Sequence, residues 1–446
     1  MEMKQLLIND AIVVQDPLKD EFHTNFSVAI CDGKIDKVGL TSELKKLYPY
    51  AVQVDAKGAI LLPGLIDAHT HLYAALTGGM PIEGDTPQNF PEILERVWWR
   101  FDKALGMDDI YLSGLVGGMA SIKSGITTIF DHHASPNSIQ DSLSCVASAT
   151  QKCGLRACLA YEVTDRDGVE RFNQGVEENI RFIKQTKSEN SNLTKALFGL
   201  HAVFSLSDES LQHCAGEALD LDTGFHLHVA EHQTEVQKFS KTHSQSIPEF
   251  LKEVGILGSK TILAHTVHLD ESGIKLLIDA GAFNVHNPQS NMNNGVGIAP
   301  VARMIELKQP VGLGSDGFYD LPNEILLAKL LQIIKSGNPS GFSEKLALKM
   351  VYDHNVKFAE KIFGCKLGKI APSYQADVIL LDYNPPTPIQ RSNLTSHIIG
   401  ALRYGSLKKV FIEGREVFDG KHVVGLDEEE ILVKSKLTAK EVWSRL

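Results

Sequence analysis

Positive charge is in short supply in this chain. Its 44 Lys and Arg face 55 Asp and Glu, a formal net charge of −11. With no basic stripe, the composition argues against a nucleic acid as partner, since phosphate binding needs concentrated cations. Cysteine is scarce too. Cys31, Cys145, Cys153, Cys158, Cys214 and Cys365 form no CxxC pair. They read as reduced, buried small hydrophobes rather than a disulfide framework. Long apolar runs are missing, and Met1 to Asp10 carries one Lys and no long apolar run. That pattern predicts no signal peptide, no anchor and no membrane partner. Internal repeats and low-complexity segments are absent as well. What remains is 446 residues, 43% hydrophobic and 22% charged, the profile of a cytoplasmic enzyme with a large core.

Strand signals crowd the two ends. Leu6-Leu7-Ile8 and Ala11-Ile12-Val13-Val14 are apolar runs broken by Asn9-Asp10, and Asp32-Gly33 marks a hairpin after Phe26 to Ile30. Near the other end, Ala376 to Leu381 and Val410 to Glu413 are strands, and Asp427 to Leu446 has helical periodicity. Between roughly Ile60 and Gly317, short apolar strands alternate with longer amphipathic stretches, which implies a parallel βα repeat. Eight strands are expected to end near Asp67, Asp131, Tyr161, Leu200, His228, Ala264, Val285 and Gly314. The predicted fold class is α/β: a (β/α)8 TIM barrel over residues 63–366, with a small β-sandwich formed by the N- and C-terminal segments, 1–62 and 367–446. A doubly wound open sheet is the alternative. A helical stretch from about Ser343 to Phe363 joins the two parts.

Catalytic groups of a barrel sit at the carboxyl ends of its strands. Strand one ends in Gly64-Leu65-Ile66-Asp67-Ala68-His69-Thr70-His71. Residues two apart share a side, so His69 and His71 can face one ion; two solvated loop histidines are the plain alternative. Strand five offers His226, His228 and, just beyond, Glu231. His228 reads as a ligand, Glu231 as a proton shuttle, His226 as a core histidine and His232 as a solvated loop residue. His265 ends strand six, with His268 structural further on. Asp316, framed by small residues, ends strand eight, and His201 ends strand four within reach of substrate. Three His and one Asp suit a catalytic metal with an open position for water. Phe90, Trp98 and Trp99 can stack a flat ring or fill a helix core. Ser290 to Gly297 can bond ring substituents or cap the barrel. His132 and His133 read as neighbours of the site rather than ligands.

Together, Pro63 to His71, His228 to Glu231, Leu263 to His265 and Ser315 to Gly317 resemble the amidohydrolase superfamily, in its cytosine, guanine and triazine deaminase and chlorohydrolase branch. Gly368 to Asp377 is similar to that family's return into the small sandwich. Val97 to Leu105, Phe130 to Pro136, Gly175 to Phe182 and His286 to Asn294 look like the SsnA aminohydrolase family, linked to bacterial purine and selenium-related metabolism. The resemblance implies one divalent metal ion per chain, Zn with Fe or Mn as alternatives, bound by His69, His71, His228 and Asp316. It implies that Glu231 moves protons, that His265 orients water or polarises the substrate, that Asp316 takes a proton from water, and that His201 hydrogen-bonds the substrate. The two-metal branch carries a Lys at the end of strand four; here Lys195 lies at its start, so one metal is expected. The implied reaction is hydrolytic deamination of a purine-like small-molecule heterocycle by a homodimer. Chloride or alkylamine displacement and cyclic amide hydrolysis are the enzymatic alternatives. A catalytically silent assembly protein is the non-enzymatic one.

Overall fold

The computed structural model describes residues 5–82 and 84–446. The first four residues of the expected small domain and Glu83 in the segment after strand one lie outside the described residues.

Eight barrel strands follow one another as β1 Leu65–Thr70, β2 Ile126–His133, β3 Arg156–Tyr161, β4 Phe198–Ala202, β5 Phe225–Val229, β6 Ile262–His265, β7 Phe283–His286 and β8 Val311–Leu313. All neighbouring pairs that form ladders are parallel, with helices between them. The short strand Thr194–Ala196 pairs with β3, and the Val163 to Leu200 bridge continues the circuit to β4. The circuit closes between β1 and β8. There the Asp316 N–H donates to the His69 carbonyl at 2.9 Å, and the His71 N–H donates to the Asp316 carbonyl at 3.1 Å. Gly314 permits that approach: a Cβ there would stand 2.8 Å from the His69 carbonyl oxygen.

The joining helix runs through Glu344–Lys349, a π-helical turn at Met350–Asn355, and Val356–Phe363. The π turn aims Asn355 at the seam. Its amide donates to the carbonyls of Ile66 and Leu313 and accepts from the Leu313 N–H. Phe358 stacks on Phe283 at 4.5 Å and packs with Ile66, Phe130 and Ile262, filling the barrel floor.

The two chain ends build one eight-stranded sheet. Its first strand is Gln5–Val13, unbroken at Asn9-Asp10, where a register shift and a positive φ at Asp10 make a bulge instead of a turn. Ile8, Val28, Ile35, Leu61, Val378 and Phe411 share its core. The terminal helix Glu428–Trp443, capped by Asp427, packs back on the barrel, with the Trp443 indole donating to the Leu76 carbonyl. Cys153, Cys158 and Cys214 are buried thiols, whereas Cys31, Cys145 and Cys365 are only half-buried. Among the described residues, no helix is long and apolar enough to cross a membrane.

Arg156 at the start of β3 is fully buried against Asp377 of the small domain, with Nη2 to Oδ2 at 2.9 Å. Loss of one partner strands the other charge. Arg156→Ala should therefore lower unfolding stability by about 3–5 kcal/mol, while an Arg156→Met/Asp377→Leu double change should recover most of it. Chemical denaturation checks both.

Candidate metal-binding active site

The mouth of the barrel gathers histidines from five strand ends, counting His201 on β4. β1 supplies His69 and His71, β2 supplies His132, β5 supplies His226 and His228, and β6 supplies His265. Nitrogen atoms of His69, His71, His132 and His228 lie within 4.8 Å of one another, and His69, His265 and Asp316 make a second such group. His69 Nε2 stands 3.5 Å from Asp316 Oδ1, and His71 Nε2 stands 3.0 Å from the same oxygen.

Backbone geometry holds these groups in place. His265 (φ 71°) and Asp316 (φ 57°) both adopt left-handed conformations, as does Ala230 just before Glu231. Non-glycine residues carry that strain mainly at functional sites. Asp67, buried under the seam, accepts from the His69 N–H and from Ser315 N–H and Oγ, tying the loop of Asp316 to β1.

Hydrogen bonds decide which nitrogens face the centre. His71 Nδ1 donates to the His132 carbonyl at 2.6 Å, and His228 Nδ1 donates to the His201 carbonyl at 2.8 Å. In its neutral form each imidazole then presents a bare Nε2, and the two nitrogens stand 3.3 Å apart. His69 Nδ1 pairs with His226 Nε2 at 2.8 Å, leaving its buried Nε2 without a hydrogen-bond partner among the described residues. Such opposed lone pairs beside a carboxylate repel unless a cation or proton lies between them, so the donor set fits a divalent metal.

The electrostatics agree. Burial pushes His69 down to about 3 and holds His132, His201, His226 and His228 well below the usual range, so all are neutral imidazoles, the form that binds metal. Burial also pulls on His71, but Asp316 and Glu162 outweigh it and lift this ring to about 10. Burial raises Asp316, yet His71 and His69 overcome it and hold its carboxyl well below the carboxylate range. Burial raises Glu231, with His265 opposing.

The expected residues converge. Glu231 Oε2 is 3.6 Å from His265 Nε2, and His265 Nδ1 bonds Asn291 Oδ1 at 2.9 Å. His201, with Nδ1 on Ser205 Oγ at 2.7 Å, lines the same cavity of about 510 Å³. Phe90, Trp98 and Trp99 all line it. The last two sit at the junction of a π-helical turn, Leu94–Trp98, with the helix Trp99–Ala104. The expected amide loop begins as a helix, Pro288–Asn293, that places Ser290, Asn293 and Asn294 on the wall. His226 is a core histidine as expected, and its bond orients His69. His232 caps the helix Gln233–Thr242 instead of standing in solvent.

Three charged wall residues escaped the sequence reading: Glu162, Arg166 and Asp102. Glu162 follows directly on the end of β3, so the strand-end rule could have found it. Arg166 and Asp102 pair with each other across 64 residues of chain, a contact no local pattern announces.

The amidohydrolase family model matches residues 60–417. The chain belongs to the amidohydrolase family. Among characterised relatives, this amidohydrolase is 30% identical to the 5-methylthioadenosine/S-adenosylhomocysteine deaminase of Desulforudis audaxviator, over 98% of this chain and 99% of that one. It is 30% identical to the 5'-deoxyadenosine deaminase of Methanobrevibacter smithii, over 98% of both. Its fold is similar to that of a zinc-bound adenosine deaminase from Xanthomonas campestris, at a TM-score of 0.84 and 20% identity, covering 98% of each chain. It is also similar to guanine deaminase from C. acetobutylicum, at 0.78 and 23%, covering 93% of this chain and all of that one.

Metal loading should stabilise this amidohydrolase. A cation at 100 times its Kd should add about 2.7 kcal/mol, read as a rise in melting temperature that a chelator reverses. His228→Ala should abolish the rise.

Proposed function

We propose that this amidohydrolase removes an amino group hydrolytically from a purine-like heterocycle, with one divalent metal per chain held by His69, His71, His228 and Asp316. The observation that carries the reading is the pairing of Glu231 and His265, 3.6 Å apart, beside the metal-type donor set in one cavity. Zn is the proposed metal, with Fe and Mn as the alternatives that His and carboxylate ligands also accept. The cation supplies Lewis acidity that makes water a nucleophile at neutral pH.

The chain's own residues do the rest. Asp316 Oδ1, 3.0 Å from His71 Nε2, is placed to take the proton that water gives up. Glu231, which burial keeps readier to hold a proton, delivers it to the ring nitrogen beside the attacked carbon; the proton on Asp316 then goes to the departing amine, and the hydroxyl proton left on the attacked carbon returns to Glu231 as the carbonyl forms. His265, its Nδ1 pinned by Asn291, presents Nε2 to the water or to the tetrahedral carbon. His201, on the wall of the same cavity, hydrogen-bonds the substrate. Phe90, Trp98 and Trp99 supply flat apolar walls for a ring. The relatives named as deaminases of adenine nucleosides support this choice of leaving group over chloride. Free thiols fit a reducing compartment, and we place the enzyme in the cytoplasm, in purine metabolism.

The deciding experiment is ammonia release from amino-substituted purines, pteridines, pyrimidines and triazines by protein loaded separately with Zn, Fe(II) or Mn. Ammonia from one ring class is expected, and Asp316→Asn should show none. Silence from every ring with metal bound would defeat the reading. Glu231→Gln should lower kcat by about 10²–10⁴-fold with metal content unchanged. Sedimentation should give a single species of twice the chain mass, the homodimer that the resemblance implies.

A further inference from the structure

None of the steps above uses Glu162. It stands just past β3, is 4% exposed and lines the cavity. Its Oε1 lies 3.3 Å from His71 Nδ1 and 3.4 Å from His132 Nδ1, yet has no hydrogen-bond partner among the described residues. The His71 hydrogen already goes to the His132 carbonyl. Its Oε2 is 3.9 Å from His201 Nε2, too far for a hydrogen bond.

That nitrogen is an acceptor as well. With the Ser205 hydroxyl donating to the Ala202 carbonyl at 2.9 Å, its oxygen accepts from His201 Nδ1 at 2.7 Å. Nε2 is therefore bare. Two acceptors thus stand side by side in the cavity wall with no donor between them. Buried acceptors in that arrangement call for a donor from a ligand. An amino group 2.9 Å from each would bridge them. Trp99 and Phe204 stand edge-on to the His201 ring, at 6.4 and 5.6 Å. The Arg166 guanidinium at this end pairs with Asp102 and Asp167, while its Nη1 has no hydrogen-bond partner among the described residues.

We infer that Glu162 and His201 form a donor-recognition subsite. Glu162 is a specificity-determining residue that accepts a hydrogen bond from a ring N–H or amino group other than the amine released. The substrate is then a heterocycle carrying a second donor, a diamino or amino-oxo ring. Glu162 is 3.3 Å from His71, so the donor belongs to the reacting ring and not to a distant substituent. The inference rests on the deaminase reading.

The test compares 2,6-diaminopurine with 6-aminopurine, and 2,4-diaminopyrimidine with 4-aminopyrimidine, on metal-loaded protein. The diamino member should show a kcat/KM about 10- to 100-fold higher. Glu162→Leu should bring that ratio near one, mainly through KM, and Glu162→Gln, which keeps an acceptor oxygen, should retain part of it. A wild-type ratio near one overturns the inference. So does an equal loss on both members in Glu162→Gln together with loss of bound metal by elemental analysis, because Glu162 would then only hold His71. If no ring releases ammonia, the deaminase reading falls by itself. Calorimetric binding of the same pairs then decides the subsite: a diamino preference lost in Glu162→Leu upholds it, and equal or absent binding overturns it.

Discussion

The seam between the first and last barrel strands is the contact on which the site depends. Asp316 exchanges backbone hydrogen bonds with His69 and His71 across it, so the act of closing the barrel sets two imidazoles against a carboxylate. Gly314 leaves room for the approach, Asp67 ties the loop of Asp316 to β1, and Asn355 stitches the strands from below. Asp67 is itself pushed up to about 7 by burial, with its bonds to Ser315 and His69 pulling the other way. Fold and chemistry share one set of bonds here. A change at this seam would disturb both, which distinguishes it from the floor of the barrel, where Phe358 and its neighbours serve packing alone.

Burial gives the second layer of control. Imidazoles in this cavity are kept neutral because desolvation penalises their charged form, and backbone carbonyls fix which nitrogen points inward. His226 does for His69 what the carbonyls do for His71 and His228. The exception, His71, shows the same physics: Asp316 and Glu162 beside it outweigh burial and favour its charged form. Carboxylates that follow different barrel strands then divide the work. Glu231 with His265 suits proton transfer, and Glu162 with His201 suits recognition.

Much of this was legible in the residues. Alternation of apolar strands with amphipathic helices gave the barrel its eight strands, most of them within two residues of the expected ends, because each strand is bounded by a turn or a polar run. His69, His71, His201, His228, His265 and Asp316 stood at those ends, and Glu231 just past one. Other features were hidden. The bulge at Asn9-Asp10 looked like a break because Asn-Asp is turn chemistry in either setting. The cap role of His232 and the π-helical turns leave no periodic signal.

By itself, the sequence determined which chemistry is possible: the order of strands, the residue types at their ends and the absence of a bridging Lys all follow from local spacing. Only the tertiary structure decided how those groups are used. Tautomers, opposed lone pairs, the 3.6 Å and 3.9 Å carboxylate–imidazole pairs, and the commitment of Arg166 to Asp102 join residues far apart in the chain. Distances of that kind depend on barrel closure and burial, which local pattern does not encode.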